Sequence, residues 1–235
     1  MNYLKEMGAP VTYNNEVKLL MTGHDKFVDL FENIRHARHH IHLEYFNFRN
    51  DSIANALFSL LAEKAKEGVE VRAMFDAFGN WSNNQPLKER HLKSIRAQGI
   101  EIVKFDPITF PWVNHAIHRD HRKIVVIDGK IGYTGGMNIA DYYINGLPKI
   151  GKWHDMHIHL EGDAVRYLQG IFLTMWNRET GQHVGGPAYF PDTQQLPDSI
   201  AEEIAIVDRT PRETPRSISH AYELPYKPHR RASES

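Results

Sequence analysis

The sequence predicts an α/β domain in which a mostly parallel, mixed β-sheet is flanked by helices on both faces. Two observations predict it. Short apolar runs alternate with stretches of helical period from Val17 to Phe105, and two β-branched runs, IVVI and IGYT, face each other across Asp128-Gly129. Strands alternating with helices are the pattern of crossover connections between parallel strands, which bury both faces of a sheet. An Asp-Gly pair between β-branched runs is a hairpin signal, and hairpin strands are antiparallel.

VKLLMTG, from Val17, reads as the first strand, and HDKFVDLFENIRHA as a helix with Phe27, Leu30, Phe31 and Ile34 on one face. IHLEYFNF, from Ile41, is the second strand. Asn50-Asp51-Ser52 supplies an N-cap for the helix SIANALFSLLAEKAKEG, which Gly68 ends. VEVRAMFDAF is a strand, PLKERHLKSIRAQG a helix opened by Pro86 and closed by Gly99, and IEIVKF a strand. The loop DPITFPWVNHAI follows, then the hairpin, the strand WHDMHIHLEG and a long amphipathic helix from Asp163 to about Thr180. Seven of the 12 prolines lie after Gly186, and TPRETPRSISHAYELPYKPHRRASES has neither period. The chain therefore divides into a domain over residues 1–190 and a Pro-rich tail over 191–235 that is expected to be disordered.

With 235 residues, 41% hydrophobic and 24% charged, the chain can bury one substantial core. It has no cysteine, which excludes disulfides and thiolate zinc sites. No window approaches the roughly 18 to 20 apolar residues of a membrane span, and MNYLKEMGAP lacks the apolar core of a signal peptide. The expected location is cytoplasmic, or peripheral at a membrane surface. A net charge of −1 gives no global attraction for a polyanion, so nucleic acid is not an expected partner.

The chemistry concentrates in His118–Lys130, HRDHRKIVVIDGK, where eight ionisable side chains surround four aliphatic ones. A two-residue loop at Asp128-Gly129 places Lys123 opposite Thr134 and His121 opposite Gly136. A loop at Gly129-Lys130 places His121 opposite Asn138 instead. Either register brings Gly135-Gly136-Met137-Asn138 beside the charged end, and period 2 puts His121 and Lys123 on one face. An imidazole, an ammonium, a side-chain amide and two glycines that admit close approach form a cradle for a phosphate. Glu44 adds a carboxylate inside the otherwise apolar run IHLEYFNF, which marks a sheet edge or a site.

H-x-K-x-x-x-x-D followed by G-G-x-N, matched by His121, Lys123, Asp128, Gly135, Gly136 and Asn138, resembles the signature of the phospholipase D superfamily. The segments IHLEYFNFRND, HRKIVVIDGKIGYTGGMNIADYY and WHDMHIHLEGDAVRYLQGIFLTMWNRETG resemble the amino-terminal catalytic half of bacterial cardiolipin synthases, over roughly Val17 to Phe190. Two features depart from that pattern: there is no membrane-spanning amino terminus and no second H-x-K-x-x-x-x-D. The tail is accordingly expected to be the remnant of a linker to a missing second half.

The resemblance implies a phospholipase D-like fold and a phosphatidyltransferase that joins two phosphatidylglycerol molecules into cardiolipin and glycerol through a phosphohistidine. It casts His121 as nucleophile or acid, with Lys123 and Asn138, beside Gly135 and Gly136, on the phosphate. Asp128 has a supporting role, and Glu44 is a site-facing carboxylate that orients the histidine. No metal or cofactor is expected, because the Lys123 and Asn138 cradle replaces a cation. The implied partners are phosphatidylglycerol, the inner face of a bacterial membrane, and either a second copy of the chain or a separate second-motif half. Competing readings are a phospholipase D that uses water, a dimeric single-motif nuclease, and a catalytically silent lipid-binding module.

Other residues carry weaker alternatives. His157, His159 and Asp155 have spacing compatible with a metal, against a reading as contacts at the core's edge. His36, His39, His40 and His42 read as a solvated helix end and strand start. ITFPWVNHA is either a lipid-facing lip or a packed loop.

Overall fold

The computed structural model describes residues 2–6, 8–107, 119–149 and 151–208. A short helix α1 (Asn2–Glu6) precedes β1 (Val11–Thr12) and β2 (Asn15–Leu20). Then come α2 (Gly23–His36), β3 (His40–Tyr45), α3 (Ser52–Lys66), β4 (Glu70–Asp76), α4 (Ala77–Trp81), α5 (Glu89–Arg96) and β5 (Ile100–Phe105). The second part holds β6 (Ile124–Ile127), β7 (Ile131–Gly135), α6 (Tyr142–Asn145), β8 (His157–Gly162), α7 (Ala164–Thr180) and β9 (Ile204–Ala205).

Seven strands form one mixed sheet in the order β2-β8-β7-β6-β3-β4-β5. Only β3, β4 and β5 run parallel; β2, β8, β7 and β6 pair antiparallel with their neighbours. The sheet is thus less parallel than the sequence pattern implied. The β-α-β alternation ends at β5, and the remaining strands join the other edge of β3 through a hairpin and a meander, which forces antiparallel pairing.

Alternation along β3 explains how two cores form. Ile41, Leu43 and Tyr45 point into a cluster with Phe27, Leu30 and Ile34 of α2, Leu57 and Leu61 of α3, and Leu92 of α5. His40, His42 and Glu44 point the other way, toward the side that α7 covers with Phe172, Leu173 and Trp176. The helices start where side chains satisfy their free amides: Thr22 accepts from Asp25 N, and Asp51 from Ala54 N. α7 ends at Gly181 in the left-handed conformation.

His40 and His42 correct the expectation of a solvated cluster, since both are fully buried. His40 Nε2 lies 3.0 Å from Gln169 Oε1, and Gln169 Nε2 donates to His42 Nδ1 at 2.9 Å. The ring of His42 stacks on Phe172, with centroids 4.4 Å apart. Gln169, which interrupts the apolar face of α7, is what permits two histidines inside the sheet.

Part of the segment assigned to the tail is tied to the domain. Arg166 donates to the carbonyls of Phe190 and Pro191, Asn15 Nδ2 donates to Glu202 O, and β9 pairs with β1. Residues 209–235 and the loop 108–116 lie outside the described residues, so the readings placed on them do too. No helix among the described residues is long and apolar enough to cross a membrane.

Candidate active site

The carboxyl ends of β3, β4 and β5 and the beginning of β6 share one edge of the sheet, where open α/β sheets bind ligands. His121 and Lys123 lie there, just ahead of β6. The hairpin pairs Ile127 with Ile131 and Ile124 with Thr134, so three residues, Asp128 to Lys130, form the loop. That is one more than either expected register, and it places Lys123 level with Gly135.

The Lys123 ammonium lies 3.0 Å from His121 Nδ1 and 2.5 Å from the His121 carbonyl oxygen. It stands 5.5 Å from the centre of the Phe46 ring, and the same ring packs against His121 at 4.8 Å. Lys123 is buried while His121 is exposed. Burial lowers Lys123 to about 8, against the pull of Asp120 and Asp155. Burial, then the Lys123 charge, lowers His121 below the usual histidine value, with Asp120 and Asp76 opposing. Near neutral pH the pair is a cationic ammonium beside a neutral imidazole.

The two glycines have a packing reason. Gly135 has φ 150°, and a Cβ there would meet the His157 Cα and the Met156 carbonyl oxygen at 2.7 Å. A Cβ on Gly136 would lie 2.0 Å from Asp155 Oδ1. Side chains at either position would push residues 155–157 away from the end of β7.

Asn138 is buried beside the backbone of Asn47, whose amide donates to Asn138 Oδ1 at 3.4 Å. Its position depends on Lys26, a residue the sequence reading passed over. Lys26 is fully buried, donates to the carbonyls of Met137 at 2.8 Å and Asn138 at 3.0 Å, and sits 4.9 Å from the ring centres of both Phe27 and Tyr45. Burial holds its pKa well below the usual lysine value; Asp155 opposes that shift and Lys123 adds to it. The signal was its spacing, since Lys26 lies at i−4 to Leu30 and i−8 to Ile34 and must share their inward face.

His157 completes the group. It is fully buried, neither ring nitrogen has a hydrogen-bond partner among the described residues, and burial, then Lys26 and Lys123, hold it well below the usual histidine pKa. Its neighbour on the strand, His159, bonds Asp29 through Nδ1 at 2.7 Å. Among the described residues no three His, Asp or Glu side chains converge as metal ligands.

Two expected site residues make their hydrogen bonds to groups other than His121. Asp128 lies at the opposite end of β6, seven positions on, or roughly 20 Å along an extended strand. It has φ 54°, and its carboxylate accepts from the amides of Arg38, His39 and His40 at 2.8, 2.8 and 2.9 Å. Asp128 thus fastens the hairpin to the start of β3. Glu44 is fully buried on the α7 side; its Oε1 accepts from Arg122 at 2.9 Å, and its Oε2 has no hydrogen-bond donor among the described residues. Burial, then the adjacent Asp120 carboxylate, holds Glu44 well above the usual carboxylate range. Arg122 in turn pairs with Asp208 at 2.7 Å.

A family model described as cardiolipin synthase, PLD-like domain, matches residues 30–176, more than half of the chain. The chain belongs to this family. The cardiolipin synthase of Halalkalibacterium halodurans is 41% identical over 181 residues, covering 77% of this chain and 35% of that protein. That of Geobacillus kaustophilus is 40% identical over 195 residues, covering 83% and 37%. The chain therefore spans about a third of the length of these curated relatives. Among solved structures, a phospholipase D family member, Nuc from Salmonella typhimurium, aligns at a TM-score of 0.52 with 17% identity, covering 69% of this chain and 95% of Nuc. NucT from Helicobacter pylori aligns at 0.51 with 14% identity, covering 69% and 96%. At such identities these neighbours establish the fold alone, which this PLD-like domain shares with them.

Proposed function

We propose that the chain supplies the phosphate-binding face of a phosphatidyltransferase of the cardiolipin synthase type, acting on phosphatidylglycerol. In this reading one histidine of a pair attacks phosphorus and the P–O bond to glycerol breaks. The other histidine gives the leaving glycerol oxygen its proton. The hydroxyl of a second phosphatidylglycerol then gives up its proton and displaces the histidine, yielding cardiolipin. The observation that carries the reading is the contact between Lys123 and His121 at the carboxyl edge of the sheet, with Asn138 fixed nearby by Lys26.

Lys123 donating to Nδ1 leaves the ring proton of His121 on Nε2, the arrangement of an acid. The nucleophilic form arises when Lys123 turns from the ring to a phosphate oxygen, so substrate binding and activation of the ring are one event. Lys123 and the Asn138 amide would then hold developing charge on the phosphoryl oxygens in a site partly shielded from water. These residues hold a single H-x-K-x-x-x-x-D, so in this reading the second histidine comes from outside them, from a second copy or from a second-motif half. The membrane surface that presents the lipid is the implied setting.

The test is turnover of labelled phosphatidylglycerol in vesicles, with release of glycerol and formation of cardiolipin measured together and DNA hydrolysis as a control. His121→Ala and Lys123→Ala should each lower turnover by on the order of 10²-fold or more while the fold remains. Phosphatidic acid as the product would transfer the assignment to hydrolysis, and cleavage of DNA alone would overturn the lipid reading.

A further inference from the structure

A groove of about 400 Å³ opens on the α7 side of the sheet, within the ~300–1,000 Å³ range of small-molecule sites. His121 and Lys123 contribute to its wall. Away from them the lining is aliphatic: Ile158 on β8, and Leu168 and Ile171 on α7. The opposite wall is a strap formed by residues 204–208, which presents Ile204 and Ile206. All of these aliphatic residues except Leu168 are only partly covered. The strap is held at both ends, by the pairing of β9 with β1 and by the ion pair of Asp208 with Arg122.

We infer that this groove is an acyl-chain site, in which one fatty chain of the lipid lies between α7 and the 204–208 strap while its phosphate sits at His121 and Lys123. The inference rests on the proposed phosphate cradle and adds to it the place of the apolar half of the substrate. Two features select this occupant. His121 and Lys123 are among the residues that line the groove, at the sheet edge over which the exposed His121 stands, and a cationic end beside an aliphatic slot complements an anionic amphiphile. The polar groups of the strap are also turned away from use, since Asp208 and Arg122 neutralise each other. Only the partly covered aliphatic surface remains available, and covering it with methylenes is favourable in proportion to the area removed from water.

The experiment measures binding, so it does not depend on turnover. Inorganic phosphate, butyl phosphate, octyl phosphate and dodecyl phosphate are titrated calorimetrically into the full chain, each below its micelle concentration. The wild type should bind more tightly as the chain lengthens, by up to about fifteenfold for each two added methylenes until the groove is full. Ile171→Trp, which fills the groove from α7, should bind butyl and octyl phosphate equally while keeping its affinity for inorganic phosphate. Ile204→Trp, placed on the strap outside the main core, should do the same and carries the test if the helix variant fails to fold. An unchanged chain-length dependence in the folded variants, or none in the wild type, would overturn the acyl-chain site. Failure of inorganic phosphate to bind, or binding that Lys123→Ala leaves unaltered, would instead overturn the cradle and so the proposed function.

Discussion

The ammonium of Lys123 and the imidazole of His121 touch at 3.0 Å, and the Lys123 charge adds to burial in making His121 harder to protonate. Lys123, with a value of about 8, must be charged to hold a phosphate, so phosphate affinity is present below pH 8 and declines above it. The rate on bis(p-nitrophenyl) phosphate should accordingly fall through an alkaline limb near pH 8, by about tenfold per pH unit well above it. Lys123→Arg keeps its charge at those pH values, so whatever rate it retains should lack that limb. A pH profile flat to pH 10 in the wild type would show that the Lys123 charge is not used.

Asp128 should prove a structural residue. Its carboxylate takes three backbone amides at the start of β3, and hydrogen bonds to a charged acceptor are the strong ones. Asp128→Ala should cost about 2–4 kcal/mol in urea unfolding, because the three amides lose their acceptor. Asp128→Asn should cost less, since asparagine tolerates the left-handed backbone found there and keeps one acceptor oxygen. Below the unfolding transition, both variants should turn over within about threefold of wild type. A loss near 10²-fold in a folded Asp128→Asn would restore Asp128 to the chemistry.

The buried histidines predict an acid-sensitive fold. Burial lowers His40 to about 4 and holds His42 well below the usual value. The unfolded chain protonates such groups near 6.5, so their contribution to stability is complete above pH 6.5 and is lost as pH falls from there toward 4. Each histidine should remove about 1.4 kcal/mol per pH unit over that interval. Unfolding free energy measured by urea at pH 7.5, 6.0 and 5.0 should fall accordingly, and His42→Gln should flatten the slope. A stability unchanged between pH 7.5 and 5 would mean that these rings acquire protons without cost.

What the sequence made legible follows from what a local pattern can encode. The period-2 and 3.6-residue patterns located the strands from Ile41, Glu70 and Ile100 and the helices between them, because each buries one stripe or face. The contact of His121 with Lys123 was legible for a similar reason, as both precede one strand. Strand direction outside the β6–β7 hairpin was not, because antiparallel pairing of β8 with β2 joins residues more than a hundred positions apart. Asp128, to which the resemblance gave a supporting role, stands seven positions from His121, and extension of β6 carries it to the other end of the strand. Lys26 was missed as a site residue, and His157 was read only as a metal-ligand candidate or a contact at the core's edge, because their neighbours come from elsewhere in the chain: the Met137 and Asn138 carbonyls receive Lys26, and Gly135 makes room for His157.

The proposed transfer needs a nucleophile and an acid on opposite sides of phosphorus, and His157 cannot supply the second group as placed, since it is fully buried against β7. His121 is exposed at the edge of the sheet, so a second copy related by a two-fold axis through that edge would bring two such histidines face to face. The active form should then be a homodimer with one shared site. Wild type and His121→Ala are co-refolded in equal amounts, and turnover is measured per total protein. If both histidines are required and subunits mix at random, activity falls to roughly a quarter, the fraction of dimers with two wild-type subunits. Sites complete within one chain would leave roughly half. The same samples are sedimented across a concentration series, and specific activity should follow the dimer fraction. Half activity in a monomeric sample would reject the shared site and require the second group to lie within this chain.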